Sequence, residues 1–405
     1  MEKKPFTVAY LFTTFPKRTE TFLQREIAAM QALGVDLRLY SLHRGGGTFQ
    51  GLPVDKLSKW HLLKLLWMIP YEAVRRPDVM WMLLVNVLSR PAPCWINFWE
   101  NMLGAGFACL YARQFRKNPP DHVHAAWAGA PAAAAWLLMH IAGIKGFTTG
   151  AHAYDLYEHG GDWWLLEKLN VATLVHTSTE MGRHTMIEHG ADPAKLHTIR
   201  RGLDVFPPFK PLRTPRSALR IVCVARLVPK KGFEYQLKIY EALLQSGFDF
   251  EVRILGDGIL RARLEKLSHK LGLVTRVKFL GHVSQPDVFA QLGWADVLIH
   301  TGVIAPSGDR DGLPNVIPEA MAAGVMVLTS SAAATTEAIQ NEVTGLVGDV
   351  AQMPVWISGF RRLRDDDILA ERLRHAARAW VEENFDAHKN AARVLELMKV
   401  AASSV

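Results

Sequence analysis

The part of the chain between residues 220 and 329 constrains the fold most, because short apolar runs alternate there with stretches of helical periodicity. Each of the five runs has the length and composition of a buried strand. The predicted strands are Arg220–Ala225, Phe250–Leu255, Arg276–Leu280, Asp296–His300 and Val325–Thr329. Strands that alternate with helices form parallel sheets covered on both faces, so this pattern predicts a doubly wound α/β domain of the nucleotide-binding type.

The first half of the chain begins with a similar unit. Phe6–Phe12 is predicted as a buried strand, residues 20–33 as an amphipathic helix that ends at Gly34, and Val35–Leu42 as a second strand. Further strands are predicted at His122–His124, Gly146–Gly150 and Ala172–Thr177. This order predicts another parallel α/β layer with right-handed crossovers. Residues 203–219, rich in proline and basic residues, are predicted to be a stiff connector between the layers.

The composition is that of a globular protein with anionic partners. The chain is 49% hydrophobic, enough for sizeable cores, and its net charge of +8 favours phosphates, nucleic acid or anionic lipid. Cys94, Cys109 and Cys223 are spaced too irregularly for a disulfide framework or a zinc site. The longest apolar run, Val79–Leu88, is interrupted by Asn86 and is too short to span a membrane. Without a signal-peptide core, the chain is expected to be cytoplasmic.

The segment 56–118, here called the insert, differs from the rest of the first half. It has no strand pattern and contains nine lysines and arginines against three acidic residues. It also holds five of the twelve tryptophans, namely Trp60, Trp67, Trp81, Trp95 and Trp99. Apolar helices with tryptophan and basic flanks are typical of a surface that lies on anionic lipid. The alternative is that these helices pack on the first sheet and that the tryptophans belong to its core.

The loop after the first strand of the second half carries Arg226, Lys231 and Gly232. In open α/β sheets, ligands bind where the carboxyl ends of strands meet loops and helix N-termini. A guanidinium and an ammonium at this place would neutralise a diphosphate, and glycine would let the chain turn closely. The alternative is a pair of solvated basic residues in a loop.

A second motif runs from Asp311 to Gly324 and joins a loop to a helix. Its two carboxylates, Asp311 and Glu319, could hold two different parts of one ligand, and the free amides of the first helical turn favour an anion or sugar hydroxyls. As structure alone, Asp311 would be a cap and Glu319 an ordinary helix acid. Together with Arg226 and Lys231, the two carboxylates favour a binding site.

A third candidate is His152, within the stretch Thr148–Asp155 that follows a strand end in the first half. A lone histidine is more often structural than catalytic, so the pattern by itself favours a structural role for His152.

With these motifs, the chain resembles the retaining glycosyltransferases of family 4, most specifically over residues 220–350. The resemblance implies an α/β fold of the GT-B class, in which two Rossmann-like domains face each other across a deep interdomain cleft. Residues 1–205 would be the acceptor-binding domain with the insert, and residues 206–375 the nucleotide-sugar-binding domain. Residues 376–405 would form a final helix that crosses back to the first domain.

The resemblance also implies the roles of the site residues. Arg226 and Lys231 match the Arg-x4-Lys pair that binds the donor diphosphate, and Asp311 and Glu319 match two acidic positions separated by seven residues. Glu319 would bind the ribose hydroxyls, and His152 would face the transferred sugar. Asp311 would hold that sugar together with the backbone of Gly312, Leu313, Pro314 and Asn315. The catalytic set is therefore His152, Arg226, Lys231 and Asp311.

The opening motif, from Phe15 to Phe22 with Glu26 behind it, is similar to members that build exopolysaccharide, colanic acid and lipopolysaccharide. Those members usually have serine where Thr19 stands. Many also have glutamate at the position of Asp311.

The activity implied is transfer of a hexose-type sugar, with anomeric retention, from a nucleotide diphosphate sugar to a saccharide or lipid-linked acceptor. UDP is the commonest donor nucleotide of the family. We predict no metal and no cofactor besides this donor substrate, and therefore no metal at the Asp-x-Asp triplets 309–311 and 365–367. Peripheral contact with the inner face of the cytoplasmic membrane is expected, and binding of nucleic acid is not. The alternative function is a non-catalytic nucleotide- or glycan-binding subunit that regulates a partner transferase.

Overall fold

A computed structural model of the chain describes residues 5–17, 19–214 and 216–403. Arg18 of the opening motif and Pro215 of the connector lie outside the described residues. Residues 1–4 of the predicted first domain and residues 404–405 of the predicted final helix also lie outside them. The chain divides into two compact units. Unit 1 consists of Met1–Asp204 and Ala387–Val405, and unit 2 consists of Val205–Asp386.

Unit 1 is built on one sheet of eight strands, in the order β3-β4-β2-β1-β5-β6-β7-β8. The neighbours pair in parallel, except that β3 and β4 form an antiparallel hairpin. The strands are β1 Thr7–Phe15, β2 Asp36–Gly45, β3 Gly47–Phe49, β4 Leu52–Lys56, β5 His122–Ala125, β6 Phe147–Gly150, β7 Leu174–Thr177 and β8 Leu196–Thr198. The hairpin strands β3 and β4 and the strand β8 were not among the strands predicted from the sequence.

Helices connect these strands: α1 Thr21–Ala32, α2 Lys59–Arg75, α3 Pro77–Ser89, α4 Trp95–Lys117, α5 Ala130–Ala142, α6 Ala153–Tyr157, α7 Leu165–Val171 and α8 Glu180–Glu188. The sheet has a core on each face because side chains alternate along a strand. In β1, Ala9 and Leu11 belong to one buried cluster, and Tyr10 and Phe12 to the other. The continuous apolar run of β1 therefore reflects a central strand that is covered on both sides.

Unit 2 is built on a fully parallel sheet of six strands, in the order β11-β10-β9-β12-β13-β14. The strands are β9 Leu219–Val224, β10 Phe250–Leu255, β11 Val277–Gly281, β12 Val297–His300, β13 Met326–Ser330 and β14 Leu346–Gly348. Counted from β9, this order is 3-2-1-4-5-6, that of dinucleotide-binding sheets. The strand order reverses between β9 and β12, so ligands are expected at the carboxyl ends of these two strands.

The helices of unit 2 are α9 Phe233–Gln245, α10 Arg261–Lys270, α11 Gln285–Trp294, α12 Val316–Ala322, α13 Met353–Asp365 and α14 Asp367–Asn384. A further helix, α15 Ala387–Ser403, belongs to unit 1. The tail is therefore two helices and not the single helix predicted over 376–405. The chain leaves the helical path at Phe385, and the amide of Ala387 then donates to the carbonyl of Leu203, a tertiary contact that helical periodicity does not reveal.

The insert consists of α2, α3 and α4, and its five tryptophans are exposed. Their exposed fractions range from 53% for Trp99 to 79% for Trp67. The interpretation of these tryptophans as core residues is therefore wrong, because the helices bury other faces and leave the indole rings outside. Within the described part of the chain, none of the helices has the length and apolarity needed to cross a bilayer.

Candidate active site

Two loops meet at the carboxyl ends of β9 and β12 in unit 2. The first, residues 226–232, contains a single 3-10 turn over Pro229–Lys231 and ends at Gly232. Gly232 has a positive φ of 63°, and a Cβ atom there would lie 1.9 Å from the carbonyl oxygen of Thr301. Only glycine fits such a close approach. The glycine that the sequence singled out thus lets the first loop pack directly against the second, residues 301–315.

Backbone groups fasten the two loops together. The amide of Val303 donates to the carbonyl of Lys230 at 2.9 Å. The hydroxyl of Thr301 donates to the carbonyls of Lys231 and Gly232, each at 3.2 Å. Residues that are far apart in sequence are held side by side because β9 and β12 are neighbouring strands.

Side chains of the two loops form paired charges. The ammonium of Lys231 lies 2.6 Å from Asp311 Oδ2, and that of Lys230 lies 2.9 Å from Asp309 Oδ2 and 3.6 Å from Asp311 Oδ1. The Nε2 atom of His300, at the end of β12, lies 3.5 Å from Asp311 Oδ2. Asp311 therefore faces two lysines and a histidine.

These contacts set the charge state of the site. Burial by itself would raise the pKa of Asp311, but the ammonium of Lys231, with His300 and Lys230, lowers this pKa well below its usual range. The pKa of His300 is lowered, chiefly by burial, so its ring is neutral near pH 7. Asp311 is thus a carboxylate held by cations, not the helix cap that its position also allowed.

Arg226 and Glu319 lie on either side of this cluster in sequence. Arg226 is exposed just beyond β9, and among the described residues its guanidinium has no hydrogen-bond or ion-pair partner. Glu319 is buried in α12 and accepts a hydrogen bond from Gln285 Nε2 at 2.9 Å. Between them, the backbone of Gly312, Leu313, Pro314 and Asn315 leads into α12.

In unit 1, His152 is a buried residue between β6 and α6. Its ring centroid lies 5.4 Å from that of Trp127 and 5.7 Å from that of His176. Burial, with the nearby charge of Arg201, lowers the pKa of His152 well below its usual range. Its Nδ1 atom is buried and has no hydrogen-bond partner among the described residues.

A cavity of about 30 Å³ lies beside His152, enough for about one or two water molecules. Its lining includes His176, Arg201 and Glu26 of the opening motif. Glu26 accepts a 2.5 Å hydrogen bond from the hydroxyl of Tyr10, and burial raises the pKa of Glu26 although Arg201 opposes this. Residues at the ends of β6, β7 and β8 thus line a small pocket that contains a neutral histidine.

Carboxylates surround the loop that follows His152. The Oδ2 atom of Asp155 accepts from the amides of Ala128 and His152, both at 3.2 Å, and so fixes the backbone of the histidine. Burial, with the nearby carboxylate of Asp162, raises the pKa of Asp155 to about 8.

In the described ranges, no group of three or more histidine, cysteine or acidic side chains is arranged to hold a metal ion.

Both units match families of known proteins. The family described as Glycosyl transferases group 1 matches residues 209–380, and the one described as Glycosyltransferase Family 4 matches residues 19–205. The chain belongs to glycosyltransferase family 4. Its two matched regions together take in both loops of unit 2 and His152 of unit 1.

Three similar proteins illustrate the breadth of the family. The chain is 29% identical over 245 residues to the amylovoran biosynthesis glycosyltransferase AmsK of Erwinia amylovora, and this match spans 60% of either protein. It is 26% identical to a GDP-mannose-dependent alpha-(1-6)-phosphatidylinositol monomannoside mannosyltransferase of Mycobacterium tuberculosis, over 71% of this chain and 78% of the relative. HepE of Anabaena, solved with UDP and glucose, superposes with a TM-score of 0.72 at 17% identity, over 98% of this chain and 100% of HepE. The fold is GT-B.

The structure of this family 4 glycosyltransferase brings part of the predicted site together. Lys231 and Asp311 are in direct contact, whereas His152 lies in unit 1 and the other predicted residues lie in unit 2. Lys230 and His300 were not singled out in the sequence, and Asp309 was noted only as part of an Asp-x-Asp triplet, but all three belong to this cluster. The sequence signals for these contacts were the adjacent lysines 230 and 231 and the Asp-x-Asp triplet 309–311, because each lysine can form an ion pair with one of the two aspartates.

Proposed function

We propose that this protein is a retaining, metal-independent hexosyltransferase. It moves a hexose-type sugar from a nucleotide diphosphate sugar to a saccharide or lipid-linked acceptor, in the biosynthesis of a cell-surface polysaccharide or lipopolysaccharide. The observation that carries the proposal is the Lys231–Asp311 pair at the point where the strand order reverses, with Arg226 exposed beside β9. The names of AmsK and of the mycobacterial enzyme support the reaction class.

The cationic side chains of Arg226 and Lys231 stabilise the leaving group. When the bond between the anomeric carbon and the diphosphate oxygen breaks, negative charge grows on the diphosphate. Arg226 and Lys231 stabilise that charge, which lowers the barrier because their positions are set before the reaction begins. Glu319 accepts hydrogen bonds from the ribose hydroxyls, and Asp311 and the backbone of residues 312–315 hold the donor sugar.

The acceptor hydroxyl attacks from the face that the diphosphate leaves. Its oxygen bonds to the anomeric carbon, its proton passes to the departing diphosphate, and the anomeric configuration is retained. No side chain forms a covalent bond with the sugar in this scheme. In the role that the family resemblance gives His152, its neutral ring donates or accepts a hydrogen bond at the transferred sugar without adding charge.

We propose UDP as the donor nucleotide. HepE was solved with UDP, whereas the mycobacterial relative is named for GDP-mannose, so the test must include both bases. Thermal unfolding is measured for the wild type and Lys231→Ala with UDP, GDP, ADP and CMP, each with and without EDTA. Lys238→Ala, an exposed lysine of α9, is the matched control.

A ligand at 100 times its dissociation constant adds about 2.7 kcal/mol of stability. We expect such a shift with UDP in the wild type and in Lys238→Ala, unchanged by EDTA and lost in Lys231→Ala. A shift that EDTA abolishes would contradict metal independence. Binding of UDP without acceptor-dependent release of UDP from a UDP-sugar would instead favour the non-catalytic nucleotide-binding subunit.

We also propose that the protein works at the inner face of the cytoplasmic membrane, in contact with anionic lipid. The contact is made by the Trp surface, defined as the exposed tryptophans of α2, α3 and α4: Trp60, Trp67, Trp81, Trp95 and Trp99. In α2, Trp60, Leu63 and Trp67 are exposed at helical spacing, and in α3 the exposed residues include Trp81 and Leu88. These are apolar stripes on solvent-facing sides of helices.

The charge of the insert complements such a membrane. Its basic residues exceed its acidic ones by nine to three, and Glu72 is buried in ion pairs with Arg75 and Arg116, which leaves Asp78 and Glu100 as the other acids. Exposed indoles and aliphatic side chains beside a basic surplus are the features of an interfacial helix on anionic lipid.

A further inference from the structure

Lys230, next to the family's diphosphate-binding lysine, is buried. Only 6% of this residue is exposed, although lysine is almost never buried without a partner. An ammonium removed from water is tolerated only where carboxylates compensate it. Here both compensating groups, Asp309 and Asp311, come from the 301–315 loop.

Asp309 is in turn built into a tight bend of that loop. Its carbonyl accepts from the amide of Ala305 at 2.8 Å, and its own amide donates to Ser307 Oγ at 3.4 Å. The ion pair from Lys230 to Asp309 therefore holds the bend itself, just before the residues that lead into α12. Lys230 also holds the start of the loop through the bond between its carbonyl and the amide of Val303.

The pairing has a consequence for donor binding. In the structure, Lys231 is paired with Asp311, so a diphosphate that binds Lys231 removes the nearest cation from a largely buried carboxylate. Leaving a buried charge unpaired is costly. The ammonium of Lys230 lies 3.6 Å from Asp311 Oδ1, so Lys230 can remain the ion-pair partner of Asp311 after Lys231 has bound the phosphate.

We propose that Lys230 and Asp309 are positioning residues, which fix the 301–315 loop so that Asp311 and the backbone after it can hold the donor sugar. The inference rests on the proposed function, since it concerns the same donor. It gives the triplet 309–311 a task without metal: one aspartate anchors the loop and the other faces the ligand. The pair acts on recognition of the sugar and not on that of the nucleotide.

The test separates these two parts of the donor. Dissociation constants are measured by calorimetry for UDP and UDP-glucose, and for GDP and GDP-mannose, with the wild type, Lys230→Met and Asp309→Asn. Lys230→Arg keeps the ion pair, and Lys238→Met is the matched surface control. Asp309→Asn preserves the shape of the loop, so it answers the question if Lys230→Met does not fold.

For the nucleotide that the wild type binds, we expect Lys230→Met and Asp309→Asn to change the constant for the nucleoside diphosphate by less than about threefold. The constant for the matching nucleotide sugar should weaken by about tenfold or more, as for the loss of one charged contact. The double variant should be no worse than the single ones, because both remove the same interaction. Lys230→Arg and Lys238→Met should resemble the wild type.

Other results would overturn the inference. Equal weakening of nucleotide and nucleotide sugar would make Lys230 a phosphate ligand or a general structural residue, and unchanged constants for both would deny it any role with the donor. A wild type that binds the nucleotides while its variants keep the wild-type ratio contradicts this inference alone. A wild type that binds none of the four compounds contradicts the proposed function and this inference with it.

Discussion

Glu100 in unit 1 has a carboxyl group whose pKa is raised by its surroundings. It is half-buried on α4, and burial, with the nearby carboxylate of Asp162, raises its pKa from 4.5 to about 7, although Lys168 acts in the other direction. The carboxylate of Glu158 also raises this pKa, and the ammonium of Lys17 lowers it. The folded protein therefore binds a proton at Glu100 over a pH range in which the unfolded chain has released it.

This shift predicts a pH dependence of stability. The contribution of Glu100 to the free energy of unfolding is fully present below pH 4.5 and is lost as the pH rises through about 7. At about 1.4 kcal/mol per pKa unit, the loss amounts to roughly 3.5 kcal/mol at most. Urea unfolding from pH 4.5 to pH 8 should show a flatter stability profile for Glu100→Gln than for the wild type.

Glu188→Gln, an exposed acid on α8, is the control for that series and should leave the profile unchanged. Asp155, whose pKa is raised to about 8, titrates in both proteins and so cancels in the comparison. Parallel profiles for the wild type and Glu100→Gln would show that the carboxylate of Glu100 is ionised as readily in the folded protein as in the unfolded chain.

Among elements, α4 shows how a helix that exposes tryptophan is nevertheless anchored. Lys168 on α7 forms an ion pair with Asp162 in which neither side chain is exposed. From α4, Asn97 and Asn101 donate to the two oxygens of Asp162, at 3.2 and 3.0 Å, and Asn101 also accepts from Lys168 at 2.9 Å. This network holds the N-terminal half of α4 against the loop that follows His152.

Removal of one partner should be costly, because the other charge then stays buried without compensation. Lys168→Met is expected to lower the free energy of unfolding by about 3–5 kcal/mol. The double variant Lys168→Met with Asp162→Asn should recover part of that loss, since it also removes the stranded charge. Lys145→Met, an exposed lysine of unit 1, should stay near the wild-type value in urea unfolding.

A loss below about 1 kcal/mol in Lys168→Met would show that water reaches the pair. A double variant that is less stable than Lys168→Met would show that the carboxylate of Asp162 is satisfied by the two asparagines alone. Either result would contradict the role of the ion pair as the anchor of α4.

For the whole molecule, the Trp surface predicts binding to anionic lipid. The wild type should sediment with vesicles of phosphatidylcholine mixed with phosphatidylglycerol, less with phosphatidylcholine alone, and less at high salt. The emission of its tryptophans should shift to shorter wavelength on binding. The double variant Trp60→Ser with Trp67→Ser should lose most of the bound fraction and keep nucleotide binding.

The control is Ile368→Ser, which removes an apolar side chain of α14 that is 83% exposed, and it should bind vesicles like the wild type. Equal sedimentation of the wild type and the tryptophan variant would contradict the membrane contact. A concentration-dependent dimer that the tryptophan substitutions abolish would assign the Trp surface to a second copy of the chain instead.

Many features of the site were predictable from spacing along the chain. Arg226 and Lys231 follow a strand, and Asp311 and Glu319 frame a loop and a helix, so each motif can be found locally. The partners of the charges cannot be found in this way. Lys230 meets Asp309 and Lys231 meets Asp311 across sequence separations of 79 and 80 residues, and which aspartate faces which lysine depends on the neighbouring positions of β9 and β12.

The sequence by itself determined the two α/β layers, the helical insert and the motifs at the strand ends, because periodicity and turn residues are properties of neighbouring positions. Only the tertiary structure decided that the tryptophans of the insert are exposed, because an apolar stripe on a helix does not reveal whether protein or solvent lies against it. Only the tertiary structure divided the tail into α14 and α15. The helix is interrupted where the amide of Ala387 donates a hydrogen bond to the carbonyl of Leu203. The burial of Lys230 belongs to the same class, since burial is a property of the packed chain and not of the residue.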